Sequence, residues 1–369
     1  MCGIAGFCNW KTDWEKNIRK MNDRMRHRGP GASGIWASED GRVVFGHQRL
    51  SIVDLSENGA QPMQSHSGRF EIAFNGEIYN YKQIAKRLLD EKKVDHFRGG
   101  SDTEVLLEAM EHYGVKEAIS MCKGMFAIAL YDRRSEEVFL VRDRIGKKPL
   151  YYWIEGGNLV FGSELKPLMA CPGFRKEIRR DVLARFLYQQ YINAPDSIFK
   201  DVYKLEPGGV LRFHQGEVKK WKYWDIGRVY HRMQERPVED FDEAKRELKG
   251  LLKRAVASRM IADVPLGSFL SGGYDSSLMT AIAQENSAEP VKTFSIGFEE
   301  ERYDEAAYAR QVAEYLGTDH TEAYIDEKGM FELVESIPKY YDEPFADSSQ
   351  IPTMLVSALA RERVTVALS

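Results

Sequence analysis

Two patterns of apolar and polar positions divide the chain. Over roughly the first 165 residues, short apolar segments of β type recur, several with period-two alternation. They fall at 2–8, 43–50, 70–75, 124–132, 137–143 and 149–154. GMFAIALYD and EEVFLVRD, joined by RRSE, predict one hairpin, and YYWIEGGNLVFGSE predicts a second that turns at Gly156, Gly157 and Asn158. Helical spacing occurs in NYKQIAKRLLDE and in SDTEVLLEAMEHYG, the latter opening with Ser101 and Glu104 in the relation of a capping box. Hairpins without long crossovers predict stacked antiparallel sheets flanked by helices, an α+β unit.

Residues 166–225 read as a connecting region with a helix at 181–188 and a hairpin around His214–Glu217. The stretch 226–240 is polar, carries Pro237 and reads as an exposed linker or loop. Beyond it Phe241, Ala244, Leu248, Leu251, Leu252, Ala255 and Val256 fall at helical spacing. A strand (264–270), helix (276–284), strand (291–298), helix (304–316) and strand (320–326) follow. A helix near 327–340, another near 352–362 and the apolar run VTVAL close the chain. Alternating strands and helices predict an α/β unit with a parallel sheet. The expected domains are 2–165, a connecting region 166–240, and 241–369.

Composition narrows the class. A chain of 369 residues is too long for one ordinary core, and 43% hydrophobic with 29% charged residues is a globular balance. Lys+Arg 52 against Asp+Glu 56 leaves a net charge of -4, with no basic field to hold a nucleic acid. No apolar run approaches the ~18 residues of a membrane span. The start MCGIAGFCNW has neither the basic region nor the cleavage site of a signal peptide. Cys2, Cys8, Cys122 and Cys171 have no CxxC or metal spacing, which sets aside a disulfide scaffold and a zinc module. A cytoplasmic multi-domain enzyme is the expectation.

Candidate chemistry begins at Cys2. Removal of Met1 would place a thiol and a free α-amine on one residue, and the amine (pKa about 7.7–8.0) can take the proton of a thiol (about 8.5). Position alone favours a small buried hydrophobe at the start of an edge strand. Three further segments carry polar residues that a plain sheet would not place: HQRLSIVD, FNGEIYN and GGSDTE. In FNGEIYN, Asn75 and Gly76 follow the strand RFEIAF and read as a turn at its end, where an amide beside a free backbone N–H can hold an oxyanion. An ordinary Asn-Gly hairpin turn is the alternative. Arg49 can grip a carboxylate and Glu77 or Asp102 an ammonium, although a surface ion pair and a helix-dipole contact would account for Arg49 and Asp102 separately.

MCGIAG, RHRGP, HQRLSIVD, FNGEIYN, GSDTE and MFAIALYD, in that order, resemble an N-terminal-nucleophile glutamine amidotransferase domain. The resemblance implies that Cys2 attacks the glutamine amide to form a thioester as ammonia leaves, with Asn75 and Gly76 stabilising the oxyanion. It implies that Arg49, Glu77 and Asp102 hold the amino-acid end, with main-chain help from Ile52 and Val53. Gly31 stands where the family usually has Asp after RHRGP, a change in loop structure and not in a catalytic group.

In LGSFLSGGYDSSLMTAIA a Gly pair and hydroxyls lie between a strand and a helix, an anion site built on a helix N-terminus. Asp275 suits Mg²⁺ held against pyrophosphate oxygens, and no Walker A lysine motif occurs. A plain helix-capping Gly-Gly turn is the alternative. The segment is similar to the pyrophosphatase-type (PP) loop of adenylating enzymes, and the whole chain resembles the glutamine-hydrolysing asparagine synthetases. That resemblance implies ATP-driven formation of an acyl-adenylate of aspartate, attacked by ammonia carried from the first domain. It places Phe269, Leu270 and Ile296 around the adenine, and Ser271, Gly272, Gly273, Asp275 and Ser276 on pyrophosphate, with Asp275 on the metal. Tyr274 stands where the family usually has Leu or Val. Family members continue past the position of Ser369 into a second glycine-rich acidic loop and a lysine-bearing segment, so a truncated synthetase half is expected. The partners implied are glutamine, ATP and aspartate or another carboxylate such as a sugar acid. Nucleic acid and membrane are not among them, and a homodimer is open to it. A sugar or ribosyl amidotransferase would lack SGGYDSS, and a tRNA-modifying relative should be basic or carry paired cysteines.

Overall fold

Alternation within the first strand sets the layering around it. In β1 (Gly3–Cys8), Ile4 and Cys8 face one side, Ala5 and Phe7 the other, and all four are buried. A strand covered on both faces belongs inside a layered structure. The computed structural model describes residues 1–10, 13–235, 237–298 and 304–369. They form two compact units, Met1–Glu235 with Asp342–Phe345, and Arg236–Tyr341 with Ala346–Ser369.

The first unit continues through β2 (Ala32–Ala37), β3 (Val43–Arg49), β4 (Met63–Gln64), β5 (Phe70–Ile78), β6 (Gly124–Asp132) and β7 (Glu137–Arg142). It ends with β8 (Tyr151–Glu155), β9 (Asn158–Gly162), β10 (Val202–Lys204), β11 (Gly209–His214) and β12 (Glu217–Lys222). Two antiparallel sheets result, ordered β10-β8-β9-β1-β3-β2 and β12-β11-β7-β6-β5-β4. Ile4, Phe45, Ala73, Ala129, Leu140 and Phe161 fill the space between them. The other side of β1 packs Ala5 and Phe7 on Ile18, Met21 and Met25, the first two from the helix Trp14–Arg24. The outer face of the second sheet packs Ile72, Ile128 and Leu130 on Leu88 and Met110, from the helices Tyr81–Asp90 and Asp102–Tyr113. The unit is a helix–sheet–sheet–helix stack, the α+β arrangement expected.

Both expected hairpins form, and Gly156 (φ 57°) and Gly157 (φ 79°) supply the left-handed residues that the β8–β9 turn requires. The capping box is one-sided. Ser101 accepts from the Glu104 N–H at 3.2 Å, while the Glu104 carboxylate takes the N–H groups of Arg98 (2.8 Å) and Gly99 (2.9 Å).

Three expectations are corrected. β1 is not an edge strand, because β3 and β9 pair with it on either side. Asn75 and Gly76 do not form a turn. β5 runs on to Ile78 and pairs them with Ala127 and Phe126, and Gly76 is required because a Cβ there would meet the Met125 carbonyl. The 226–240 stretch is not all loop. Asp225 caps a helix, Ile226–Gln234, by accepting from Arg228 N–H at 3.1 Å. None of that helix is buried, so no core-facing stripe marked it, and residue 236 lies outside the described residues.

The second unit is a parallel sheet in the order β15-β14-β13-β16, comprising β13 (Leu266–Phe269), β14 (Lys292–Phe298), β15 (Asp319–Ile325) and β16 (Val366–Leu368). The helical stripe beginning at Phe241 forms the helix Phe241–Arg259, yet only Val256 of it is buried, with Phe241 78% exposed. The helix expected near 327–340 divides into Glu327–Val334 and Ile337–Tyr340, with Pro338 opening the second. Among the described residues no helix is long and apolar enough to cross a membrane.

Four residues from late in the chain complete the first unit. Asp342 accepts from Leu165 N–H and, at 3.2 Å, Lys166 N–H, capping the helix Leu165–Met169 for which Glu164 supplies no side-chain cap. Glu343 accepts from Ile198 N–H at 2.8 Å and from the Tyr151 hydroxyl at 3.1 Å.

Because Ala129 faces the opposing sheet at 0% exposure, Ala129→Leu should overpack the interlayer and cost about 1–3 kcal/mol. Denaturant midpoints of the purified chain measure this, and an unchanged midpoint would show the two sheets to be loosely packed.

Candidate active site

The interior position of β1 pins the residue before it. Cys2 lines a pocket, and its Sγ accepts from the Leu50 N–H at 3.4 Å. Arg28 donates from Nε to the Cys2 carbonyl at 2.9 Å, and its Nη1 pairs with Glu164 at 2.9 Å. His27 reaches the same carboxylate at 3.0 Å. The Met1 ammonium donates to the Arg28 carbonyl at 3.0 Å. Burial pushes the Cys2 thiol up, against the Leu50 N–H, the amino terminus and Arg49, which favour the thiolate.

All eight residues expected for glutamine chemistry line this one pocket: Cys2, Arg49, Ile52, Val53, Asn75, Gly76, Glu77 and Asp102. They arrive from the start of the chain, the end of β3, the loop after it, the end of β5 and the first residue of the helix Asp102–Tyr113. Asn75 is 1% exposed, and its side-chain Nδ2 has no hydrogen-bond partner. Leaving a buried donor unpaired costs about 1–3 kcal/mol, so the fold holds a donor ready for an acceptor that is not part of the chain.

Arg49 is largely engaged with its own loop, donating to the Asp54 carbonyl and, at 3.0 Å, to the Ser56 carbonyl. It thereby shapes the segment carrying Ile52 and Val53 while still lining the pocket. Asp102 accepts from Ile78 N–H at 2.8 Å. Burial pushes its carboxyl up to about 7, with backbone N–H groups opposing and the neighbouring Glu77 charge adding to the rise. An ammonium placed between Glu77 and Asp102 would favour ionisation of both.

Sequence reasoning missed Gln61 and Lys148. Gln61 accepts from Phe74 N–H at 2.7 Å and donates to Thr103 Oγ1 at 3.2 Å, tying β5 to the helix. Lys148 lines the pocket at 3% exposure. In GKKPLYY it follows another lysine before a proline, a pattern that reads as a solvated loop, so nothing in the sequence marks it.

In the second unit the loop after β13 turns tightly into a helix N-terminus. Gly272 adopts φ +79°, and a Cβ there would meet Tyr308 and the Ala309 backbone. Ser276 Oγ takes the Ser271 N–H at 3.2 Å and lies 3.0 Å from Ser271 Oγ. Gly273 opens the helix Tyr274–Glu285 with no side-chain cap, and the buried Ser277 hydroxyl has no partner. A helix N-terminus without a side-chain cap, with an orphan hydroxyl in its first turn, fits a phosphate group. Asp275 lies in that helix's first turn and Ile296 in β14, half-buried, while Phe269 packs partly on Phe294. Leu270 is the exception: its side chain is in the core against Ala309 and Ala313, leaving only its backbone for a ligand.

A family model for the glutamine amidotransferase domain matches residues 1–224, and one for asparagine synthase matches 247–369. A putative glutamine-hydrolysing asparagine synthetase of Methanocaldococcus jannaschii is 36% identical, covering 100% of this chain and 73% of the relative. The glutamine-hydrolysing asparagine synthetase 1 of Bacillus subtilis is 35% identical over 100% of this chain and 57% of its own length. A protein of Gibberella zeae named amidase chry2 is 33% identical over 94% of this chain and 54% of its own length. The chain thus spans between about half and three quarters of these relatives.

Asp102 gives a pH signature. Its carboxyl near 7 binds a proton in the folded state that the unfolded chain releases above about 4, so this group lowers stability as pH rises between those values. Asp102→Asn removes the titration and should gain stability relative to the parent between pH 4.5 and 7.5 on the order of the shift itself. Denaturant midpoints at both pH values check this, and a constant difference between the two proteins would mean Asp102 is ionised throughout.

Proposed function

The chain belongs to the glutamine-hydrolysing asparagine synthetase family, and on that premise we propose that its first unit hydrolyses glutamine and delivers ammonia for ATP-dependent amidation of aspartate. The unpaired Nδ2 donor of Asn75, buried in the pocket that Cys2 borders, carries this reading. Loss of Met1 would free the Cys2 α-amine. The thiol then attacks the side-chain carbonyl of glutamine and its proton passes to that amine. The carbonyl oxygen becomes an oxyanion that Asn75 Nδ2 and the Gly76 backbone N–H would hold. Collapse breaks the C–N bond, the amine returns the proton to the departing ammonia, and a thioester remains. Water, deprotonated by the same amine, hydrolyses the thioester to glutamate and restores the thiol. The Glu77 and Asp102 carboxylates suit the substrate ammonium, and Arg49 with the Ile52–Val53 main chain suits its carboxylate.

In the second unit Ser271, Gly272, Gly273 and Ser276 would hold the pyrophosphate of ATP, with Asp275 holding Mg²⁺ against it. Bound ATP supplies the adenylyl group that makes the acceptor carboxylate reactive toward ammonia. Ile296 and the Phe269–Leu270 backbone would border the adenine. Aspartate as acceptor rests on the names of the synthetase relatives, and another carboxylate such as a sugar acid is the second reading. Pyrophosphate release in the presence of ATP, glutamine and each candidate acid separates the two. Four free cysteines suit a cytoplasmic setting.

Intact mass should show a chain lacking Met1. Cys2→Ala should abolish glutamine hydrolysis while sparing ammonia-driven amide synthesis in the complete enzyme, and loss of both there would refute the division of labour. Asn75→Ala should lower the turnover of glutamine by about 10²–10³-fold, the effect of removing one oxyanion donor. A change confined to KM would make Asn75 a binding group only.

A further inference from the structure

Lys148 has no part in the scheme above, yet its ammonium is among the most deeply buried cationic groups of the first unit. It hangs from the loop between β7 and β8, fixed by Asp143, whose carboxylate accepts from the Lys148 backbone N–H at 2.9 Å. Its Nζ bonds the thioether of Met1, a weak acceptor for a charged donor. Glu77 and Asp143 favour its charge through space, Arg28 opposes it, and Cys2 adds to the favourable field. Burial dominates these and pushes the ammonium down to about 8. A buried lysine whose partner is the residue that the proposed function would remove is a costly arrangement for a purely structural role.

We propose that Lys148 is a positioning residue for the nucleophile: once Met1 is gone, its buried ammonium faces Cys2 and holds the α-amine neutral and the thiol acidic. This rests on the glutaminase reading. A cation nearby disfavours a second cation, so it raises the fraction of unprotonated amine able to act as base, and it favours the thiolate by attraction. Both effects are strengthened where water is excluded. Cys2 meets other charges on the same pocket wall: Arg49 at the end of β3 acts in the same sense, and Asp102 at the helix start opposes it. Arg28, which grips the Cys2 carbonyl, already has its counter-charge in Glu164. Lys148 acts here only as a charge and passes no proton to Cys2 or substrate; the thiol proton goes to the amine of Cys2.

The test is the pH dependence of Cys2 alkylation by iodoacetamide in the full chain, followed by mass so that Cys8, Cys122 and Cys171, all buried, do not contribute. Lys148→Met, which keeps the side chain long and removes the charge, should raise the alkylation midpoint by roughly one pH unit. Lys148→Arg should return it to within a few tenths of the parent. The acid limb of kcat/KM for glutamine should move with it, while KM stays within about twofold. If Lys148→Met does not fold, Lys148→Gln tests the same charge. Coincident midpoints for parent and neutral variants overturn the proposal, as does an arginine variant displaced as far as the neutral one. Alkylation needs no turnover, so a parent chain that hydrolyses no glutamine would refute the function while these midpoints still decide the role of Lys148.

Discussion

A first strand threaded between two others is the constraint on which the chemistry of the first unit turns. Chain termini ordinarily fray, because few contacts hold their backbone. Here β1 pairs on one side with β3 and on the other with β9, and every residue from Gly3 to Cys8 is buried. The residue at the head of that strand is therefore held with the precision of a core position while its backbone nitrogen stays at the chain's edge. On the proposed reading, a nucleophile that uses its own amine has to be terminal and immobile together, and the pairing of β1 on both sides supplies the immobility.

The pocket beside it is expensive to build. An unpaired Nδ2 at Asn75, a carboxyl raised by burial at Asp102 and a buried ammonium at Lys148 each oppose folding. They are tolerated because the surrounding layers are dense. Alanines at 73, 127 and 129 let the two sheets approach, and large side chains such as Phe45 and Phe161 close the remaining space. Polar groups concentrated at one locus, with apolar packing elsewhere, are the pattern of a site set up to bind something charged.

The two units differ in how their apolar residues are used. In the first, alternation along the strands corresponds to real faces, and helices such as Asp102–Tyr113 are covered along most of their length. In the second, the helix Phe241–Arg259 carries a stripe that remains mostly open. Periodicity identifies an amphipathic helix but not what lies on its apolar face. The β13 loop is legible for a different reason: Gly272 needs a left-handed conformation and close approach to the Ala309 backbone, a requirement glycine alone meets.

Much of the first half could be read from the sequence because its signals are local. Hairpins follow from strand alternation and turn residues, the helix start from Ser101, and the candidate nucleophile from a cysteine behind the initiator. Tertiary structure decided what depends on partners distant in the chain. Asn75 and Gly76 look like a turn until β6 is laid beside them along nine residues, which keeps the strand extended. Lys148 looks like a solvated loop lysine until β7 and β8 fold it under the chain terminus. Asp342 and Glu343 look like part of the second half until their carboxylates meet the N–H groups of Leu165, Lys166 and Ile198. Local propensity and spacing are written within a few residues, whereas burial and pairing are set only when the chain closes on itself.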